Sequence, residues 1–125
     1  MTQRTNAVNW FEICAADFAR ARRFYETALG ETLADTPMDG GKMAMFNFDQ
    51  QAGVGGAITK MENCASTGTR TIVYLNVEGK LDAVLGRIVS AGGRIVQPRM
   101  AIPPHGFIAL IEDTEGNVVG LHSMS

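Results

Sequence analysis

The stretch VNWFEICAADFARARRFYETALG, residues 8–30, decides how this chain is read. Its first eight residues alternate and are rich in aromatic and β-branched side chains, which predicts a strand over 8–15. Asp17 then stands where a helix N-cap belongs. Phe18, Ala21, Phe24, Tyr25, Ala28 and Leu29 follow at helical spacing, and Gly30 can close the helix in the left-handed conformation. Strand, cap, amphipathic helix and glycine stop make one unit.

That unit recurs. TRTIVYLNV (69–77) is a second strand, and Leu81, Val84, Leu85, Ile88 and Val89 mark a second helix closed by Gly92-Gly93. Three short strands follow each helix. They are 31–35, 42–48 and 55–61 in the first half, and 94–98, 106–112 and 117–123 in the second. DGG, QQAG and DTEG supply the turns. A slide of 62 residues puts Phe11 on Val73, Ile13 on Leu75, Ala15 on Val77 and Gly30 on Gly92. Few identities survive the slide, so the repeat is one of pattern. It predicts a single α+β domain of two βαβββ modules, about 8–61 and 71–123, joined by the polar linker 62–70.

Period-2 alternation assigns the faces. Phe11 and Ile13, Val73, Leu75 and Val77, and Val119 and Leu121 are uniformly apolar, so they are expected beneath the helices. The opposite set mixes Trp10, Glu12, Ile72, Tyr74, Asn76, Gly120 and His122. A mixed face either meets water or lines a pocket. Two methionines, Met43 and Met45, alternate with Ala44 and Phe46, and either pair could face the helix.

The bulk numbers exclude several classes. The 125 residues are 46% hydrophobic and carry net charge −2, so neither nucleic acid nor an anionic membrane finds a basic footprint. No apolar run is long enough to cross a bilayer, and MTQRTNAVNW (1–10) has no apolar core of signal-peptide length. Cys14 and Cys64 are too few for a disulfide framework, which predicts a cytoplasmic protein with reduced thiols and Cys14 as a small core hydrophobe. GVGGA (53–57) enters a strand and not a helix, so it cradles no phosphate. Neither G-x-S-x-G nor H-E-x-x-H occurs.

Three stretches carry a resemblance. NWFEICAADFARARRFYETALG resembles the opening of vicinal-oxygen-chelate proteins, the superfamily of glyoxalase I, bleomycin-resistance proteins and extradiol dioxygenases. LDAVLGRIVSAGGRIVQP resembles its second helix and following strand, and GFIALIEDTEGNVVGLHS its closing hairpin, usually D-P-x-G-N and a strand. The resemblance spans about residues 8–123 and implies two βαβββ modules forming a curled mixed sheet with a cleft. In metal-using members four cleft residues, His, Glu or Gln, hold one divalent ion. Matched motif to motif, those positions fall on Trp10, Ile58, Ile72 and Gly120. None offers a nitrogen, oxygen or sulfur ligand, so no metal and no cofactor is expected.

Two residues beyond the lost ligand positions lie Glu12 and His122, the candidates for proton transfer or for a structural polar pair. Tyr74 and Asn76 could donate hydrogen bonds, Trp10 could stack on a ligand, and His105 could sit at the cleft mouth or simply in solvent. The leading expectation is a binder of a small, partly aromatic molecule in a metal-free cleft, as the resemblance to drug-sequestering members implies. The alternatives are a glyoxalase-like lyase or isomerase, or a dioxygenase-type enzyme, acting through Glu12 and His122, and an interaction module without a ligand. The resemblance also implies a homodimer.

Overall fold

A computed structural model describes residues 4–38, 40–61 and 71–125. The elements are β1 (Val8–Cys14), α1 (Phe18–Leu29), β2 (Ala34–Thr36), β3 (Gly41–Met45) and β4 (Gly55–Met61), then β5 (Thr71–Asn76), α2 (Leu81–Ile88), β6 (Arg94–Ala101), β7 (Phe107–Glu112) and β8 (Val118–Ser123). The class is α+β, and strand–helix–three strands appears twice. The linker expected over 62–70 lies outside the described residues.

Each module carries the same strand order: β2-β3-β4-β1 in the first and β6-β7-β8-β5 in the second. In both, the opening strand runs parallel to the last strand, and the remaining pairs are antiparallel. A parallel pair needs a long crossover, and here the helix with its two following strands provides it. Strand bounds moved at the edges. β2 is three residues, not five, β3 stops at Met45, and β6 runs on to Ala101 through two register shifts.

The chain divides into two compact units, Trp10–Ile72 and the pair of segments Met1–Asn9 and Val73–Ser125. In the first, α1 begins as read: the Asp17 side chain accepts the Arg20 N–H at 3.0 Å. It ends at Gly30, whose φ of 68° is costly for any residue with a Cβ. Ala15, Leu33, Ala44 and Ile58 form the buried cluster beneath it, with Phe18, Ala21, Tyr25 and Phe46 packed around. Ala44 and Phe46 are therefore the helix-side pair, and Met43 and Met45 pair with Thr59 and Ala57.

In the second unit, Leu81, Ala109, Ile111 and Leu121 are buried, and Leu75, Val77, Val84, Leu85, Ile88, Phe107 and Val119 close around them. Val73, expected under α2, is instead 40% exposed. It lies at the start of β5, one strand turn short of the residues that α2 covers. Residues Arg4–Asn9 are held in this unit by the backbone bond from Asn76 N to Ala7 O at 2.7 Å and by Asn76 Nδ2 donating to Asn6 O at 3.2 Å. Cys14 corrects the thiol expectation: it is buried and disulfide-bonded.

Candidate functional site

In the second unit the polar face is built on one close approach. Tyr74 pairs with Gly120 across β5 and β8. A Cβ placed on Gly120 would fall 2.2 Å from the Tyr74 ring, so the glycine exists to let that ring lie flat on the strand. Tyr74 is only 3% exposed. Two pairs further along, on the same face, Asn76 stands beside His122.

Both ring nitrogens of His122 are engaged. Asn9 Nδ2 lies 2.9 Å from Nδ1, and Nε2 lies 2.6 Å from the His105 carbonyl oxygen. Taken together, the two partners select the tautomer that accepts at Nδ1 and donates from Nε2–H. The tight loop 102–106 sets the second bond, because Ile102 N–H donates to Gly106 O and His105 N–H donates to Ile102 O. His105 thus contributes its backbone, while its side chain is exposed. Asn9 Oδ1 is buried without a hydrogen-bond partner among the described residues. Asn9 was missed in the sequence, where it sits among strand residues without a chemical motif.

In the first unit Trp10 Nε1–H donates to Glu12 Oε2 at 3.2 Å, and Glu12 is 7% exposed. These two are neighbours on one strand face, as period 2 requires. Trp10 also meets Phe48 edge to face, with ring centroids 6.1 Å apart. Glu12 and His122 lie in different units, each with the partners just named.

The first unit also holds a groove that the alternation pattern did not expose. It has a volume of about 410 Å³, within the usual range of ligand sites. Its walls come from β1 (Phe11, Ile13), α1 (Tyr25, Leu29) and the segment after β3 (Phe46, Asn47, Phe48). Gly55 and Gly56 form its floor for a steric reason: Cβ atoms there would lie 2.4 Å from the Phe48 ring and 2.2 Å from the Phe11 ring. Phe11 stacks on Phe46 at 5.6 Å, and Tyr25 meets Phe46 edge to face at 5.6 Å. Phe11 and Ile13, expected beneath the helix, are instead half-buried groove walls, because α1 leaves part of that sheet face uncovered and buries none of its own residues fully.

The segment leaving α1 is pinned. Leu33 N–H donates to Glu26 Oε2 at 2.8 Å, Arg22 Nη2 donates to Leu33 O at 2.7 Å, and Arg22 Nε meets Glu26 at 3.2 Å. Arg22 also pairs with Asp35. The Leu33 amide, then Arg22, holds the Glu26 carboxyl below its ordinary value. This network fixes where Glu31, at the rim of the groove, leaves the helix.

The metal positions can now be tested. Registers pair Glu12 with Ala57 and Tyr74 with Gly120. Glu12 and Tyr74 are 62 residues apart, but Ala57 and Gly120 are 63, so the repeat slips by one before the last strand of the second module. Ala57 is therefore the counterpart of Gly120. Ile58 is on the helix side, opposite Ile13 and Ala44, and not on the polar face as its constant offset suggested. Trp10, Ala57, Ile72 and Gly120 provide no ligand atom, and the Tyr74 ring occupies the space above Gly120. These residues do not fit a divalent ion. Among the described residues no three His, Cys, Asp or Glu side chains come together to hold one elsewhere.

Two modules of this topology, with the closing D-x-x-G-N hairpin, define a glyoxalase-type fold. The chain belongs to the Glyoxalase/Bleomycin resistance protein/Dioxygenase superfamily, whose family model matches residues 7–121. Relatives in Mycobacterium tuberculosis and Mycobacterium bovis, provisionally named glyoxylase CFP32, are 32% identical over 124 residues, 94% of this chain. The chain spans about half the length of these curated relatives, 46%. Methylmalonyl-CoA epimerase from Mycobacterium tuberculosis shares the fold at a TM-score of 0.68 and 20% identity, covering 99% of this chain and 93% of that one. A Streptomyces coelicolor methylmalonyl-CoA epimerase variant gives 0.64 and 16%, covering 95% and 97%.

Proposed function

We propose that this chain binds a small, partly aromatic molecule through apolar and stacking contacts, without a metal ion to hold it. One observation carries the reading: the groove of about 410 Å³ whose walls include Phe11, Tyr25, Phe46 and Phe48. Four rings around a space of that size favour a flat guest. Trp10, in edge contact with Phe48, stands one ring away and is the only tryptophan. A ligand that moves Phe48 changes its surroundings. The test is a compound library read by Trp10 emission, repeated on Phe48→Ala with circular dichroism to confirm folding. Binders whose signal and affinity survive Phe48→Ala would overturn the groove as the site.

The second reading is acid–base chemistry by Glu12 and His122, in keeping with relatives named for glyoxylase and epimerase activity. Its support is the buried Glu12 carboxylate. His122 would have to release Asn9 or His105 O to take part. Glyoxalase and epimerase assays on wild type and His122→Ala decide it. Turnover lost with ligand affinity kept supports this reading, and no turnover in wild type ends it. A homodimer completes the proposal. No helix among the described residues is long and apolar enough to cross a membrane. The disulfide at Cys14 counts against the cytoplasm, where such bonds are rare.

A further inference from the structure

We infer that the groove of the first unit takes a cation with an aromatic or apolar body, such as an arylalkyl ammonium; this rests on the groove being the ligand site. Three features point the same way. Among the lining residues Glu31 is the single charged side chain, and no lysine or arginine accompanies it. The groove lies against the C-terminal end of α1, from Tyr25 through Leu29 to Glu31. A helix ends in unpaired carbonyls and a partial negative charge, and the last turn of α1 has no basic residue to offset it. Finally, aromatic rings attract cations to their faces, and Phe11, Tyr25, Phe46 and Phe48 are among the residues that line the groove. A neutral aromatic guest gains only the stacking. An anion meets Glu31 and the helix end with the wrong sign. The recognition chemistry is thus a ring in the groove and an ammonium at its rim, beside Glu31.

Calorimetry with three probes of one shape tests this on the full chain: 1-naphthylmethylamine, 1-naphthylmethanol and 1-naphthylacetate. The ammonium should bind about 5-fold more tightly than the alcohol at low salt, the order expected for one exposed cation–ring contact, and the carboxylate should bind weakest. Raising the salt should shrink that preference. Glu31→Gln, at an exposed position where folding is not at stake, should cut the preference for the ammonium by at least half while the alcohol keeps its affinity. An alcohol that binds as tightly as the ammonium, or a preference untouched by Glu31→Gln, overturns the charge inference and leaves a neutral ligand site standing. Failure of all three probes, or affinities unchanged in Phe48→Ala, overturns the groove itself and the inference with it.

Discussion

The two modules share one frame and use it differently. In the second, α2 buries Leu81 to 1% exposure against Ala109, Ile111 and Leu121. In the first, α1 buries no residue fully and leaves Phe24 62% exposed and Leu29 51% exposed. The aromatic residues follow this split. Trp10, Phe11, Phe18, Phe24, Tyr25, Phe46 and Phe48 belong to the first module, and only Tyr74 and Phe107 to the second. One copy of the pattern sets a helix residue, Leu81, fully into its core while leaving Val73 and Val96 40% exposed. The other keeps a sheet face open and lines it with rings.

The contrast can be broken most directly at the helices. Leu81→Ala should cost about 2–5 kcal/mol, as fully buried leucines do, whereas Phe24→Ala should stay within about 0.5 kcal/mol, as exposed substitutions do. Urea unfolding measures both, and equal losses would erase the distinction between the two helices. Next come the glycines beneath rings. Gly120→Ala should destabilise by about 1–3 kcal/mol, because the Tyr74 ring must leave the strand. Gly56→Ala should cost a similar amount and also push the Phe11 ring toward the groove, lowering ligand affinity. A stability loss at both sites with an affinity loss only at Gly56 would sharpen the comparison. Phe48→Ala should reduce affinity for an aromatic probe about tenfold, equivalent to the ~1.4 kcal/mol expected from one stacking partner, with little change in melting temperature.

The smallest effect is on acid stability. The Asp17 and Glu26 carboxyls in the first module and Asp113 in the second are held below their ordinary values by hydrogen bonds, from the Arg20 amide, the Leu33 amide, and the Asn117 side chain and amide respectively. Groups depressed on folding stabilise above the unfolded value and lose that contribution as the pH falls through the folded one. Stability should therefore decline as acid is added past 4.5 for Glu26 and 3.8 for the aspartates. Glu26→Gln and Asp113→Asn each remove one such carboxyl and should flatten that decline. Denaturant midpoints across the acid range measure the flattening, and a decline unchanged in both variants would remove these carboxyls from the account.

Most of the frame was legible because it rests on local chemistry. Asp17 as cap, Gly30 as stop and the alternating strands need only their neighbours. The errors share another origin. Ile58 was placed on the wrong face because a constant offset cannot anticipate a one-residue slip in a later strand. Val73, Phe11 and Ile13 were assigned to the core because alternation identifies a face without saying how far a helix extends over it. His122 stood out by residue type, but its partners, Asn9 and a backbone carbonyl, are distant in sequence and carry no motif.

That last pair has a consequence for how the molecule is made. Asn9 and His122 are separated by 113 residues, and Arg4 donates to the Asn76 carbonyl across 72. Contacts of such span dominate contact order and slow folding, since a long loop must close before they contribute. During synthesis Asn9 emerges 113 residues before the histidine that it bonds. Arg4–Asn9 is therefore fixed in place only after β5 and β8 have been made. The module from Trp10 onward can assemble on the ribosome, while the other waits for its final strand.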